Sequence, residues 1–221
     1  MSLERVRLPR GFDEDPIGGD AADLIERCRR FVEAFMDCWD VHRVEQYVAA
    51  DHALVYRALR RVRRVVPPEA NRFLEWGGGL SVVALLADHD GWDAVSIESH
   101  PALIAAASDL RSHLGLSGGQ VVRGNFLPED AESLADDPTL PSLGHGGEPA
   151  YEDLGLEIDD FAVVYSYPWP GEDAFHRRVF DRYAADDAVL IQFLGPNDVG
   201  VWRKGNRRGG RSDRRGRTLN R

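Results

Sequence analysis

The sequence predicts an α/β protein with a doubly wound, mostly parallel sheet, preceded by N-terminal helices and followed by a disordered basic C-terminal tail. Three observations predict it. Five short apolar, β-branched or aromatic runs alternate with helix-like stretches. The first run, Arg72-Phe73-Leu74-Glu75-Trp76, opens directly into Gly77-Gly78-Gly79-Leu80-Ser81 and an apolar helical stretch. The next, Val95-Ser96-Ile97-Glu98, ends in a carboxylate about 20 residues after the turn, and such sheets bind ligands at the carboxyl ends of their strands.

In chain order, residues 20–40 read as an amphipathic helix with Leu24, Cys28, Phe31, Phe35 and Cys38 on one face. Residues 51–66 form a second helix, closed by Pro67-Pro68 ahead of the first strand. The link at 46–51 is either a lid or an ordinary helix connection. Beyond Glu98, Pro101 suits a first helical turn, and the stretch to Leu110 makes a crossover helix. Gln120-Val121-Val122-Arg123 is the third strand and leads into Gly124-Asn125-Phe126. Residues 161–167 and 188–194 are the fourth and fifth, with a helix over 173–185 between them. The acidic insert at 128–160 is expected to form a short helix near 129–134 and then a flexible surface loop, either simply solvated or facing substrate.

The glycine turn carries the chemistry. A strand that ends in an acid, turns on glycines and opens a helix places backbone N–H groups and a helix N-terminus around an anionic group. The carboxylate of Glu98 then stands where ribose hydroxyls would be. A dinucleotide fingerprint begun at Gly77 needs glycine at position 82, where the chain has Val82, so the NAD reading weakens. The P-loop pattern is absent, and the only lysine is Lys204. What remains is acidic-x-Gly-x-Gly-x-small, from Glu75 to Ser81.

This pattern resembles motif I of the class I S-adenosylmethionine (SAM) dependent methyltransferases, a Rossmann-like family, and the resemblance covers roughly residues 50–205. It implies SAM as cofactor. The methionine part would lie at Glu75, Gly77, Gly78 and Gly79, the ribose at Glu98 beside Ser99, and the adenine at Asn125 and Phe126, with Tyr165 also facing the cofactor. Two positions depart from the family: Ser81 replaces its usual glycine, and Asn125 its usual aspartate. On this reading residues 1–50 are a helical extension, 51–205 the SAM-binding methyltransferase domain, and 206–221 an Arg/Gly-rich tail.

Methyl transfer needs alignment and exclusion of water more than reactive side chains. The segment Tyr167-Pro168-Trp169-Pro170 follows the fourth strand, and Tyr167 and Trp169 are the candidate catalytic residues, as walls of an acceptor pocket. The alternative is a proline-stiffened turn with Trp169 packed on the core. The [Asp/Asn/Ser]-Pro-Pro-[Tyr/Phe/Trp] signature of amino-methylating enzymes is not met, because Ser166 is followed by Tyr167, so base flipping is not carried over. No metal cluster or Ser-His-Asp set is evident, and His100 and His176 read as surface histidines. The acceptor is left open between a small molecule, RNA and protein.

Composition suits one domain with a full core: 43% of the 221 residues are hydrophobic. With no apolar run near the length of about 18 residues that spans a bilayer, a cytoplasmic protein without membrane contact is expected. Cys28 and Cys38 lie too far apart on one helix for a disulfide and are expected to be reduced, partly buried thiols. From Arg203 onward there are nine basic residues and one acid, a charge of +8 that leaves −18 on residues 1–202 within the total of −10. Such a tail could contact nucleic acid weakly, fold back on the acidic body, or be inessential. A SAM- or nucleotide-binding protein without turnover, RNA-associated through the tail, is the competing function.

Overall fold

A computed structural model describes residues 3–38, 47–64, 70–144 and 147–205. The expectations for Pro67-Pro68 and for the tail at 206–221 lie outside the described residues. The elements run β1 (Leu3–Arg5), α1 (Gly19–Asp37), α2 (His52–Val62), β2 (Arg72–Trp76), α3 (Val82–His89), β3 (Asp93–Glu98), α4 (Pro101–Leu114) and β4 (Gln120–Arg123). They continue with α5 (Pro141–Gly144), α6 (Tyr151–Leu154), β5 (Val163–Ser166), α7 (Asp173–Tyr183), β6 (Val189–Gly195) and β7 (Asp198–Lys204).

The sheet among the described residues has seven strands in the order β1-β7-β6-β5-β2-β3-β4. Strands β2 to β6 are parallel and are the five read from the sequence. Their order reverses at β2, where the chain leaves toward β3 on one side and returns to β5 on the other, making the Rossmann-like switch point.

Period-2 alternation divides the core. Phe73 faces α2 and α3, with Val163, Ile191 and Phe193 from neighbouring strands. Leu74 and Trp76 face the opposite side, among Phe175, Val179 and Phe180 of α7. Helix α1 packs outside α3 and α4 through Leu24, Cys28 and Val32. Its stripe is narrower than expected: Cys38 follows the last helical turn and is exposed, whereas Cys28 is buried and its thiol is pushed up to about 12 by desolvation.

Three features differ from the sequence reading. The first is the sheet edge, where β7 returns antiparallel to β6 and β1 adds antiparallel to β7, so the N-terminal segment is not wholly helical. Arg203 and Lys204, which open the basic run, belong to β7; Lys204 is buried and donates to the carbonyl of Ala184.

The second is the acidic insert. The short helix near 129–134 is present as a 3-10 turn at Ala131–Leu134, but beyond it Leu140, Leu143, Tyr151, Leu154 and Ile158 pack on the core rather than forming a bare loop. Asn125 N–H donates to Glu148 O, Ala150 N–H donates back to Asn125 O, and Tyr151 O–H donates to Phe126 O at 2.6 Å. Arg178 donates to Leu134 O at 2.8 Å and pairs with Asp136 at 3.0 Å. The insert thus covers the face that α7 alone is too short to close, with Tyr151, Ile158 and Ala150 buried.

The third is His176. It is 3% exposed, not a surface residue, because it lies on the inward face of α7 with Phe175, Val179 and Phe180.

Candidate active site

The turn after β2 is shaped by what its residues lack. Gly79 takes a left-handed φ of +56°, and a Cβ there would come within 2.5 Å of the Tyr47 ring. At Gly78 the constraint is contact alone, since a Cβ would stand 1.7 Å from Ser96 Oγ. Ser81 is also left-handed, with φ +56°, which explains why glycine suits this position; its side chain makes no cap on α3.

The N–H groups expected to cradle an anion are engaged within the protein. Gly78 N–H donates to Ile97 O at 3.0 Å, and Gly79 N–H donates to Glu98 Oε2 at 2.7 Å. His100 N–H donates to Glu98 Oε1 at 2.8 Å. Glu75 shares the face of Phe73, and its Oε2 accepts from Ala84 N–H at 2.8 Å in the first turn of α3. Burial pushes the Glu75 carboxyl up to about 8; the α3 N–H groups oppose this and the charge of Glu98 adds to it. Two buried acidic side chains, Glu98 and the protonated Glu75, therefore occupy the glycine turn and the helix N-terminus that a pyrophosphate would need.

Above the turn a cavity of about 840 Å³ opens at the carboxyl ends of β3, β2, β5 and β6. Every residue singled out from the sequence lines it: Glu75, Gly77, Gly78, Gly79, Glu98, Ser99, Asn125, Phe126, Tyr165, Tyr167 and Trp169. Asn125 Oδ1 accepts from Leu127 N–H at 2.9 Å, so its side chain first braces its own turn. Tyr165 O–H is buried with no partner among the described residues, and burial holds the phenol protonated. Tyr167 packs edge-on against Phe193 at 4.8 Å and joins the core margin. Trp169 is half-buried and belongs to none of the three core clusters.

The sequence reading missed part of the wall. Trp76 stacks on Phe126 at 5.4 Å and 21°, and His176 meets both rings edge-on. Tyr47, in the segment at 46–51 read as either a lid or an ordinary connection, lies across Gly79 and meets Phe35 of α1 edge-on at 6.3 Å. Ser142, on α5, donates through Oγ–H to Glu172 Oε2 at 2.6 Å and through N–H to Glu172 Oε1 at 2.6 Å. With the hydroxyl proton committed, His176 Nε2–H donates to Ser142 Oγ at 3.1 Å and Nδ1 carries no proton. Burial lowers His176 to about 3, so the imidazole is neutral. This Ser-Glu-His cluster spans residues 142 to 176, and its serine comes from an insert with no motif of its own, so only its proximity to the other two marks it.

Among the described residues no group of three or more His, Cys, Asp or Glu could hold a metal ion, and no helix is long and apolar enough to cross a membrane.

No family model matches the chain, and no curated protein matches it. Solved structures do, and several are methyltransferases. An RNA methyltransferase from Salinibacter ruber in complex with S-adenosyl-L-homocysteine is 15% identical over 67% of this chain and 88% of its own, with a TM-score of 0.44. A methyltransferase from Podospora anserina, also bound to that product, is 12% identical over 80% and 71%, with a TM-score of 0.46. A SAM-dependent methyltransferase from Thiobacillus denitrificans is 13% identical over 85% and 56%, with a TM-score of 0.41.

Proposed function

We propose that the protein is a SAM-dependent methyltransferase working on its Rossmann-like sheet. The observation that carries this is the pair of buried acidic side chains, Glu98 and Glu75, that take up the N–H groups of Gly79 in the glycine turn and of Ala84 at the start of α3. The phosphates of a dinucleotide or nucleoside phosphate would find those N–H groups already taken, whereas SAM carries no phosphate and adds a sulfonium and an ammonium to its one carboxylate.

On this reading the turn at Gly77, Gly78 and Gly79 makes room for the methionine part, Glu98 with Ser99 accepts from the ribose hydroxyls, and Asn125 and Phe126 border the adenine. Each Glu98 oxygen already accepts one backbone N–H and keeps a second lone pair for a ribose hydroxyl. Glu75 fixes the start of α3 by accepting from Ala84 N–H; burial keeps its carboxyl protonated at neutral pH, so the negative charge beside the turn is that of Glu98. Bound SAM supplies a methyl group on an activated sulfonium. Tyr167, Pro168 and Trp169 align the acceptor and keep water away from it, and Tyr47 closes the side over Gly79.

Calorimetry tests the cofactor: micromolar SAM binding is expected, about −8 kcal/mol, with no heat from NAD. NAD binding without SAM binding overturns the proposal. Tritium transfer from labelled SAM into lysate separated into small molecules, RNA and protein then tests turnover. SAM binding with no labelled fraction favours the non-catalytic alternative.

A further inference from the structure

The cavity wall has a one-sided charge inventory. Among the described residues none of those lining it is lysine or arginine, although the sequence has 27 such residues. Four are acids: Glu98 and the protonated Glu75 at the glycine turn, and Glu172 and Asp173 beyond it. The histidines do not supply a positive charge in place of lysine or arginine at neutral pH where burial acts on them, since His52 is lowered to about 4 and His176 to about 3. Arg177, one turn along α7, is drawn to Asp173 at 2.7 Å and is not part of the wall. Away from the glycine turn, Tyr167, Pro168 and Trp169 line the wall with Ser142, Glu172 and Asp173.

A phosphate or carboxylate entering beyond the glycine turn would leave water for a wall with no lysine or arginine, and would face Glu172 and Asp173. An ammonium gains instead from acidic groups and ring faces together. We infer that the acceptor end of the cavity selects a small basic amine on an apolar or aromatic body and excludes acceptors whose recognised group is anionic. This rests on the methyltransferase reading and narrows it to N-methylation.

The amine binds charged and gives its proton to solvent before transfer. Its lone pair then forms the N–C bond as the S–C bond breaks, the sulfur keeps the bonding electrons as a neutral thioether, and the product nitrogen carries the positive charge. No oxidant, metal or resident base is needed for this balance.

The test uses the purified full chain, saturated with S-adenosyl-L-homocysteine, and two probes of nearly equal shape: 2-phenylethylamine and 3-phenylpropanoate. Calorimetry at pH 7.5 should show the amine bound at least tenfold more tightly. Equal affinity, preference for the carboxylate, or binding of neither overturns the inference, as does transfer of label from SAM to transfer RNA. Failure of the underlying reading shows separately, as absence of SAM and S-adenosyl-L-homocysteine binding. The amine preference is then measured on the unliganded protein, where the same outcomes decide it.

Discussion

Glu98 Oε2 lies 2.7 Å from Gly79 N and accepts its hydrogen, tying the tip of β3 to the turn after β2. The second oxygen accepts from His100 N–H, which leads into α4. One side chain thus joins two strand ends and the start of a helix, in addition to its proposed ribose contact.

Glu98→Ala should weaken SAM by roughly 2–4 kcal/mol, because charge-assisted bonds are lost and water recovers only part. It should also lower the melting temperature, as two backbone N–H groups lose their acceptor. Glu98→Gln, which keeps one acceptor oxygen, should lie between wild type and Ala in both measurements. Full SAM affinity in folded Glu98→Ala would remove the ribose role.

Ser81 bears a Cβ in a left-handed conformation. Ser81→Gly should relieve about 1–2 kcal/mol of backbone strain and lose part of that to greater freedom of the unfolded chain, for a net gain of up to about 1 kcal/mol. Denaturant titration measures it. A clear loss of stability would mean that the serine hydroxyl contributes more than its conformation costs.

Stability should peak near pH 6.5. The folded Glu75 carboxyl, raised from 4.5 to about 8, holds a proton that the unfolded chain releases, so its contribution is complete below pH 4.5 and is lost as pH rises toward 8. His176 and His52, lowered from 6.5 to about 3 and about 4, act oppositely, and stability falls as pH drops below 6.5. Glu75→Gln should flatten the limb between pH 6.5 and 8, read by denaturation at both values. An unchanged slope would assign it to other groups.

Trp169→Ala should reduce methyl transfer by about 100-fold or more with little change in SAM affinity, through lost alignment of the acceptor. Since Trp169 is outside the core clusters, the loss of stability should fall below the roughly 3–5 kcal/mol of a buried tryptophan. Melting, SAM binding and transfer on one preparation separate the two roles, and normal turnover eliminates the pocket role.

Deleting residues 206–221 should leave melting temperature and SAM affinity unchanged, because the segment has almost no apolar content. Removing residues from 204 onward should be costly, since Lys204 is a buried end of β7. The pair of truncations locates the end of the folded unit.

The sequence by itself determined the five parallel strands and the cofactor and acceptor candidates that line one cavity at their carboxyl ends. Strand and helix periods, Gly77-Gly78-Gly79 and the terminal acids Glu75 and Glu98 are local signals, readable within a few residues of one another. Tertiary structure alone decided the rest. Strand β1 is three residues long and β7 carries Gly200, Arg203 and Lys204, so neither shows a pattern until β6 offers an edge. His176 reads as polar until packing places it between Trp76, Phe126 and Phe175. Ser142 meets Glu172 across 30 residues of chain, and that contact exists only because the insert folds onto α7. The same packing filled the expected anion cradle with acidic side chains, because Glu98 accepts from Gly79 N–H in the turn and Glu75 from Ala84 N–H in α3.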